Sequence, residues 1–446
     1  NAQGTTFRIL LEFIIRFSFS CGLGETALPF TIQHPASYIP VPQRKPSPAL
    51  VLLIVLLIWA IGSQLVSSLS WGHSSYQMTE WLIDYSAGFV RRGLPGTLIG
   101  LVSNTTGIQA NHLVILASLA CYFLLLAWLL RRATTTFPAV LILSCIVMGI
   151  PAYQDSIIRK DCLGLLFLLG CLMVDRSRFP RPLAVVLFNL LAGAAILCHE
   201  SFVFYALAGF VLLGHGDRQS PAGVAILRRG LCLLPAALCF LLTVRYHGTP
   251  GQAEAINDSW LPLWRSIDPG NPALGTPDAA IEALGWTSEQ GLHLSLYMLT
   301  SGWYQPTAWA MVFAVSFGFI VLFTGRDADR PAHPAMETRI RVTAILIAQL
   351  AFVSPLFLLG VDYGRWLFLW VVSSMMFDAF GSRAPVWLES FVARVFDSAR
   401  IPGLIAKVPA RDWYLLFFGV PVCWNFANFI FASPALRHLR IIGSWF

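Results

Sequence analysis

Runs of apolar residues about as long as a bilayer is thick recur along this chain, separated by joins rich in charge, proline and glycine. The clearest is "PALVLLIVLLIWAIGSQLVSSLS", which begins at Pro48. A helix needs roughly 20 apolar residues to cross the hydrocarbon core. Bounding each run at its flanking breakers predicts spans at 48–70, 109–131, 137–153, 160–175, 182–199, 201–215, 228–246, 304–325, 339–361, 363–381 and 412–433. The fold expected is all-α, a polytopic membrane helical bundle of about 11 transmembrane helices. The runs within 137–175 are short, and 182–215 holds two helices only if it turns at "CHES".

The chain divides into three regions. Residues 1–47 read as a cytoplasmic N-terminal segment, whose stretch "FRILLEFIIRFSF" is broken by Glu12 and Arg16 and has no small-residue cleavage site behind it. That pattern suits an interfacial amphipathic helix rather than a signal sequence. Residues 48–433 form the bundle, with a long outer loop at 247–303, and 434–446 are an outer tail.

Composition supports the membrane reading. The chain is 56% hydrophobic and 12% charged, with a mean hydropathy of +0.67, whereas a soluble domain carries about 25% charged residues. Its nine cysteines include no C-x-x-C pair, so neither a disulfide framework nor a zinc site is indicated.

Charge gives sidedness, because cytoplasmic loops are enriched in Lys and Arg. With the N-terminus inside, 21 of the 30 basic residues and 11 of the 23 acids lie in inner segments, leaving nine basic residues and 12 acids outside. This accounts for the net charge of +7 without a nucleic-acid partner. It also sends five polar clusters to the same, outer face: "DYSAGFVRRG" after the first span, "QDSIIRKD" at 154–161, "HES" at 199–201, the loop 247–303, and "GVDYGRW" at 360–366.

These clusters hold the candidate chemistry. Asp84 can orient or deprotonate a hydroxyl. Arg91 and Arg92 offer forked donors suited to phosphate oxygens, and Gly88, Gly93 and Gly96 permit close backbone approach. The competing account has the arginines snorkelling to headgroups and Asp84 pairing with one of them, but an outer Arg pair runs against the charge rule. Arg159 and Lys160 either bind a second phosphate or flank a helix, with Asp161 near its N-terminus. His199 and Glu200 interrupt an otherwise apolar run, where ionisable side chains are costly and usually face a cavity; either can accept a proton. Asp362 and Arg365, three apart, can pair on a helix turn, with Tyr363 between them. The loop 247–303, with "SWLPLWRSIDPGNP", "SGWYQP" and the acids Glu254, Asp258 and Asp268, suits either an acceptor groove lined by aromatic faces or a connector resting at the headgroups. The tripeptides "NTT" and "NDS" fit the glycosylation acceptor pattern, which recurs by chance. Motifs for nucleotide hydrolysis, zinc peptidases and the usual serine hydrolases do not occur. Outer carboxylates are plentiful, which leaves a divalent metal open, but none has diagnostic ligand spacing.

With these spans and an acid, Asp84, in the first outer loop, the chain resembles the GT-C superfamily of membrane glycosyltransferases across about residues 48–433. The resemblance implies a GT-C-like fold, a sugar donor on a polyprenyl phosphate or pyrophosphate, a glycan acceptor, and a bacterial inner membrane with the active site on its outer side. The sequences "RKDCLGLLFLLG", "HESFVFYALAGF" and "DYGR" are also similar to bacterial polysaccharide polymerases of the O-antigen type, which join lipid-linked repeat units. Under either resemblance, donor phosphate would sit on Arg91 and Arg92, joined by Arg159, Lys160 or Arg365. Asp84 would be the first choice of base, with Glu200 or His199 next, and a single displacement would invert the anomeric centre. Asp161, Asp362 and Tyr363 would bind substrate or support the site. The non-enzyme alternative is a transporter or flippase of lipid-linked saccharides, which would show polar groups at the midplane and internal repeats.

Overall fold

The structure is a computed structural model and describes residues 46–69, 75–154, 156–213, 222–300, 306–326, 332–360, 362–408, 411–420 and 433–436. The N-terminal segment 1–45, the "SGWYQ" part of the long loop, most of the run 412–433 and the end of the tail lie outside the described residues.

The described residues are helical, and no strand occurs among them. Among the described residues, four helices are long and apolar enough to cross a bilayer: α1 (Pro48–Leu69), a helix spanning Ala110–Thr135 whose α-helical part is Ala110–Arg132, one at Arg181–Cys198, and one at Ala335–Leu359. Counting the bent pair Gly223–Cys232 and Leu234–Arg245 as one broken span makes five. These apolar helices identify an integral membrane protein.

Helix α1 shows how these helices share themselves between protein and lipid. Pro48 occupies its first turn, where the missing N–H costs nothing, and the buried positions Ala49, Leu53, Leu57, Ala60, Ile61, Gln64 and Ser68 form one stripe. Val55, Ile58 and Val66 face away from the bundle. Further helices come in chain order: α2 (Tyr76–Trp81), α3 (Gly93–Thr106), α4 (Ala110–Arg132), α5 (Asp161–Asp175), α6 (Arg181–Cys198), α7 (Ala222–Cys232), α8 (Leu234–Arg245), α9 (Pro306–Phe323), α10 (Ala332–Leu359), α11 (Tyr363–Ala379) and α12 (Val386–Ser398). At the centre is α11, buried at every residue from Gly364 to Asp378.

Several of the expected spans are shorter or broken. In place of 137–153 there are two five-residue helices, Ala139–Leu143 and Gly149–Tyr153, each about 7.5 Å long. Ser144 ends the first: its hydroxyl donates to the Leu141 carbonyl and accepts from the Ile146 amide, the local bonding by which serine competes with a helix. Helices α5 and α11 contain 15 and 17 residues, and the apolar helix within α9 is Thr307–Phe323. The turn at "CHES" is present: α6 ends at Cys198, and His199 is extended. Beyond it the chain forms a π-helical turn, Val203–Leu207, continued by Ala208–Leu212. Helices α7 and α8 meet at 60°, broken at Leu233 before Pro235.

Candidate functional site

All five segments carrying the polar clusters meet at one end of the bundle. The first segment begins with α2, capped by the Ser75 hydroxyl, which accepts from the Met78 amide at 3.3 Å. Trp81 is buried and its indole donates to the Ile158 carbonyl, tying this segment to the second. The chain then turns sharply into α3, with Arg92 in the left-handed region at φ 63°. A non-glycine residue there is uncommon and costs free energy that surrounding contacts must offset. Gly93 and Gly96 make the turn fit. A β-carbon on Gly93 would stand 2.3 Å from the Tyr85 ring, and one on Gly96 would stand 2.2 Å from the Ile83 carbonyl oxygen. These glycines serve the close packing of the turn on itself.

This turn aims Arg92 inward. Its Nε donates to both oxygens of Glu200, at 3.1 and 2.8 Å, and its Nη2 also donates to that carboxylate. The Arg91 guanidinium stands 3.7 Å from Glu200 and donates to the Ala283 carbonyl at 2.6 Å. The second segment supplies Arg159, Lys160 and Asp161 where α5 begins. Asp161 accepts two bonds from Arg365, at 2.7 and 2.8 Å, the paired geometry that planar guanidinium favours. Asp362 bridges Arg159 and Arg365, at 2.8 Å to each. The Arg159 guanidinium also lies over the Tyr76 ring.

At the centre stands an acid that the sequence pattern did not single out. Glu80 is completely buried, and its carboxylate faces His199 at 3.3 Å, Arg92 at 3.8 Å and Arg365 at 3.9 Å, cations or proton donors from three separate segments. The Lys160 ammonium donates to the Glu80 backbone carbonyl at 2.9 Å. Its signal in the sequence is the one that drew attention to Asp84, an acid in the first outer segment. "MTEWLID" contains both acids, and only packing separates them.

Asp84 stands apart. Its carboxylate accepts from the Ser86 amide and hydroxyl, at 3.0 and 2.5 Å, a local turn bond, and neither Arg91 nor Arg92 is its partner. The structure thus gathers Arg91, Arg92, Arg159, Lys160, Asp161, His199, Glu200, Asp362 and Arg365 and leaves Asp84 outside the group. Tyr363 packs edge-on against Trp309 and Phe357.

The electrostatics arise from burial. Burial alone would raise the carboxyls of Glu80 and Glu200, but Arg365, His199 and Lys160 outweigh it at Glu80, as Arg92 does at Glu200, and both are held well below the usual range. Asp362 is likewise brought down to about 2, because Arg159 and Arg365 outweigh its burial. Lys160 is pulled down to about 8 by burial against the attraction of Glu80. His199 is lowered by burial and by Arg92. Its Nδ1 accepts from the Ser201 amide at 3.2 Å, which assigns the ring proton to Nε2, facing Glu80. The Nε2 side of the ring stands 3.3 Å from the Glu80 carboxylate. The group then carries five cations (Arg91, Arg92, Arg159, Lys160, Arg365) against four carboxylates (Glu80, Asp161, Glu200, Asp362).

The loop 247–303 folds into short helices and docks on the first segment. Thr79 donates to Asp278 at 2.9 Å, Gln252 to the Ala87 carbonyl at 3.0 Å and Trp260 to the Leu82 carbonyl at 2.8 Å. Ile83, Val90, Ala253, Ile256, Ile281 and Leu284 form a small separate core between the two. Glu254, Asp258 and Asp268 point to the exterior. Among the described residues, no three His, Cys, Asp or Glu side chains are grouped to hold a metal ion.

The model of a family described as "Uncharacterised membrane protein Rv1490" matches residues 50–238, so this part of the chain is similar to that family. The matched stretch includes Glu80, Arg91, Arg92, Arg159, Lys160, Asp161, His199 and Glu200. No curated protein and no solved structure matches the chain.

Proposed function

We propose that this protein is a membrane glycosyltransferase of GT-C type, transferring a sugar or glycan from a polyprenyl phosphate or pyrophosphate donor to a saccharide acceptor on the outer face during cell-surface polysaccharide assembly. The observation that carries this reading is the convergence of ionisable side chains from separate segments at one end of the bundle, the end that charge counting would place outside, where arginine is disfavoured. Buried charge is expensive, and five cations placed against four carboxylates form a group with a surplus suited to an anion. A sugar phosphate donor presents that anion, and its phosphate leaves with charge neutralisation in place of a strong acid.

In this reading Arg91, Arg92, Arg159, Lys160 and Arg365 receive the donor phosphate. Arg92 is bound to Glu200, so a donor phosphate competes with Glu200 for it. As the guanidinium shifts, Glu200 loses its counter-charge, becomes more basic and takes the acceptor hydroxyl's proton. The oxygen then attacks the anomeric carbon, the bond to phosphate breaks, and the electron pair leaves on the phosphate, with inversion. Glu200 takes the role first expected of Asp84 because it, unlike Asp84, touches the phosphate-binding arginine.

The test is turnover of a panel of radiolabelled polyprenyl-linked sugars by purified protein. Glu200→Gln and Arg92→Ala should each abolish transfer, and Asp84→Asn should retain it. Loss in Asp84→Asn with full activity in Glu200→Gln would reverse the assignment of the base. No transfer with any donor, together with donor movement between leaflets in vesicles, would establish the transporter reading instead.

A further inference from the structure

We propose that α12 lies in the headgroup layer at the opposite end of the bundle and recruits anionic phospholipid there. Two adjacent apolar stripes run along this helix. Leu388, Val392 and Phe396 are buried, while Trp387, Phe391 and Val395, about 100° around the helix from them, are exposed, Trp387 to 66%. Together they make an apolar arc about half the circumference wide, of which the protein covers one part. The remaining arc carries Ser390, Arg394 and Asp397, all exposed, together with Glu389, Ala393 and the exposed Val386. A helix with a broad apolar face, a Trp and a Phe on it and an arginine, Arg394, at its edge has the form that lies in an interface.

Position agrees. Helix α12 comes after α11, whose 17 residues carry the chain about 25 Å from Asp362, so the ionisable group and α12 stand at opposite ends. Charge names the lipid. The stretch 383–411 holds five basic residues and two acids. Arg383 is partly neutralised, at 3.6 Å from Glu337 and 3.8 Å from Glu389. Arg394 and Arg400 are exposed and have no ion-pair partner among the described residues. Arginines beside a buried apolar stripe reach up to phosphate, and anionic headgroups repay each such contact. This proposal does not depend on the proposed activity.

The experiment uses the full chain in nanodiscs containing phosphatidylcholine and phosphatidylglycerol, with one or the other brominated on its acyl chains. Subtracting the emission of Trp387→Phe from that of the wild type isolates Trp387 from the other tryptophans. Brominated lipid should quench this difference signal, with a local phosphatidylglycerol excess of about fivefold, the ratio one basic side chain near a charged surface supplies. In Arg394→Gln/Arg400→Gln the quenching should persist and the preference should fall toward the bulk ratio. A Trp387 signal untouched by either brominated lipid would overturn the placement. Equal quenching by both lipids in the wild type, or a preference unchanged in the double variant, would overturn the anionic recruitment.

Discussion

Glu80→Gln is the sharpest perturbation of the ionisable group, because it removes one charge and almost no volume from a side chain that water does not reach. Arg92 and Arg365 stand 3.8 and 3.9 Å from the carboxylate, and each such pair is worth about 4 kcal/mol at an effective dielectric of about 20. Against that gross attraction stands the dehydration of Glu80, several kcal/mol, which glutamine avoids. The two arginines keep Glu200, Asp161 and Asp362, but the group goes from five cations against four carboxylates to five against three. The net cost expected is about 3–5 kcal/mol, the range for leaving a buried charge uncompensated. Unfolding of the purified protein in mixed micelles measures it, with Asp84→Asn as control, expected within about 1 kcal/mol of wild type because only a turn bond is lost. Adding Lys160→Met to Glu80→Gln restores the charge balance and should recover part of the loss, a non-additivity of about 1 kcal/mol or more. Wild-type stability in Glu80→Gln, or an equal loss in Asp84→Asn, would refute the central place given to Glu80.

The same contacts set three further outcomes. Lys160 is held near 8 in the folded chain against about 10.4 unfolded. The unfolded state therefore binds the extra proton between those values, and stability should rise by up to about 3 kcal/mol as pH increases from 8 to 10.4; titrated unfolding of Lys160→Met should lack this rise. The carboxyls of Glu80, Glu200 and Asp362 are depressed, so their contribution is complete above the unfolded values near pH 4 and is lost as pH falls, for Asp362 through about 2. Acid unfolding should begin at higher pH in Arg159→Gln, which takes one of the two cations from Asp362. Gly96→Ala should destabilise more than Gly93→Ala, as judged by thermal unfolding, since the new methyl meets a backbone carbonyl in the first case and a side-chain ring in the second.

The helical class and most helix positions were legible because apolar runs must be satisfied in lipid by helices. Length was less legible. Ser144 breaks 137–153 through a hydroxyl bond that hydropathy does not register, and the bend at Leu233 turns one run into two helices. At the site, charge counting put five segments on one face, and nine of the side chains chosen from them lie in one group. What the sequence could not separate was Glu80 from Asp84. Both are acids in the same short segment, and the difference lies in α2 and its cap, which turn Glu80 toward α5 and α11 while Asp84 closes a local turn on Ser86.

The same turn gives Arg92 its place in the proposed chemistry. A left-handed arginine at the N-terminus of α3 is strained unless contacts hold it, and here the holding contact is Glu200. A phosphate that draws the guanidinium away therefore loosens the backbone at Arg92 as well as uncovering the carboxylate. Gly93 and Gly96 restrict that response, since Tyr85 and the Ile83 carbonyl fill the space a larger residue would need. The side chain is thus the part free to move, and exchange of Arg92 between Glu200 and phosphate can proceed without unseating α3. Replacing Arg92 with lysine would keep a charge but lose the fork that spans both Glu200 oxygens. Arg92→Lys should accordingly bind donor more weakly and leave the Glu200 carboxyl less depressed, so that the acid limb of the pH–rate profile moves to higher pH as the rate falls. An acid limb unmoved in Arg92→Lys would count against the exchange.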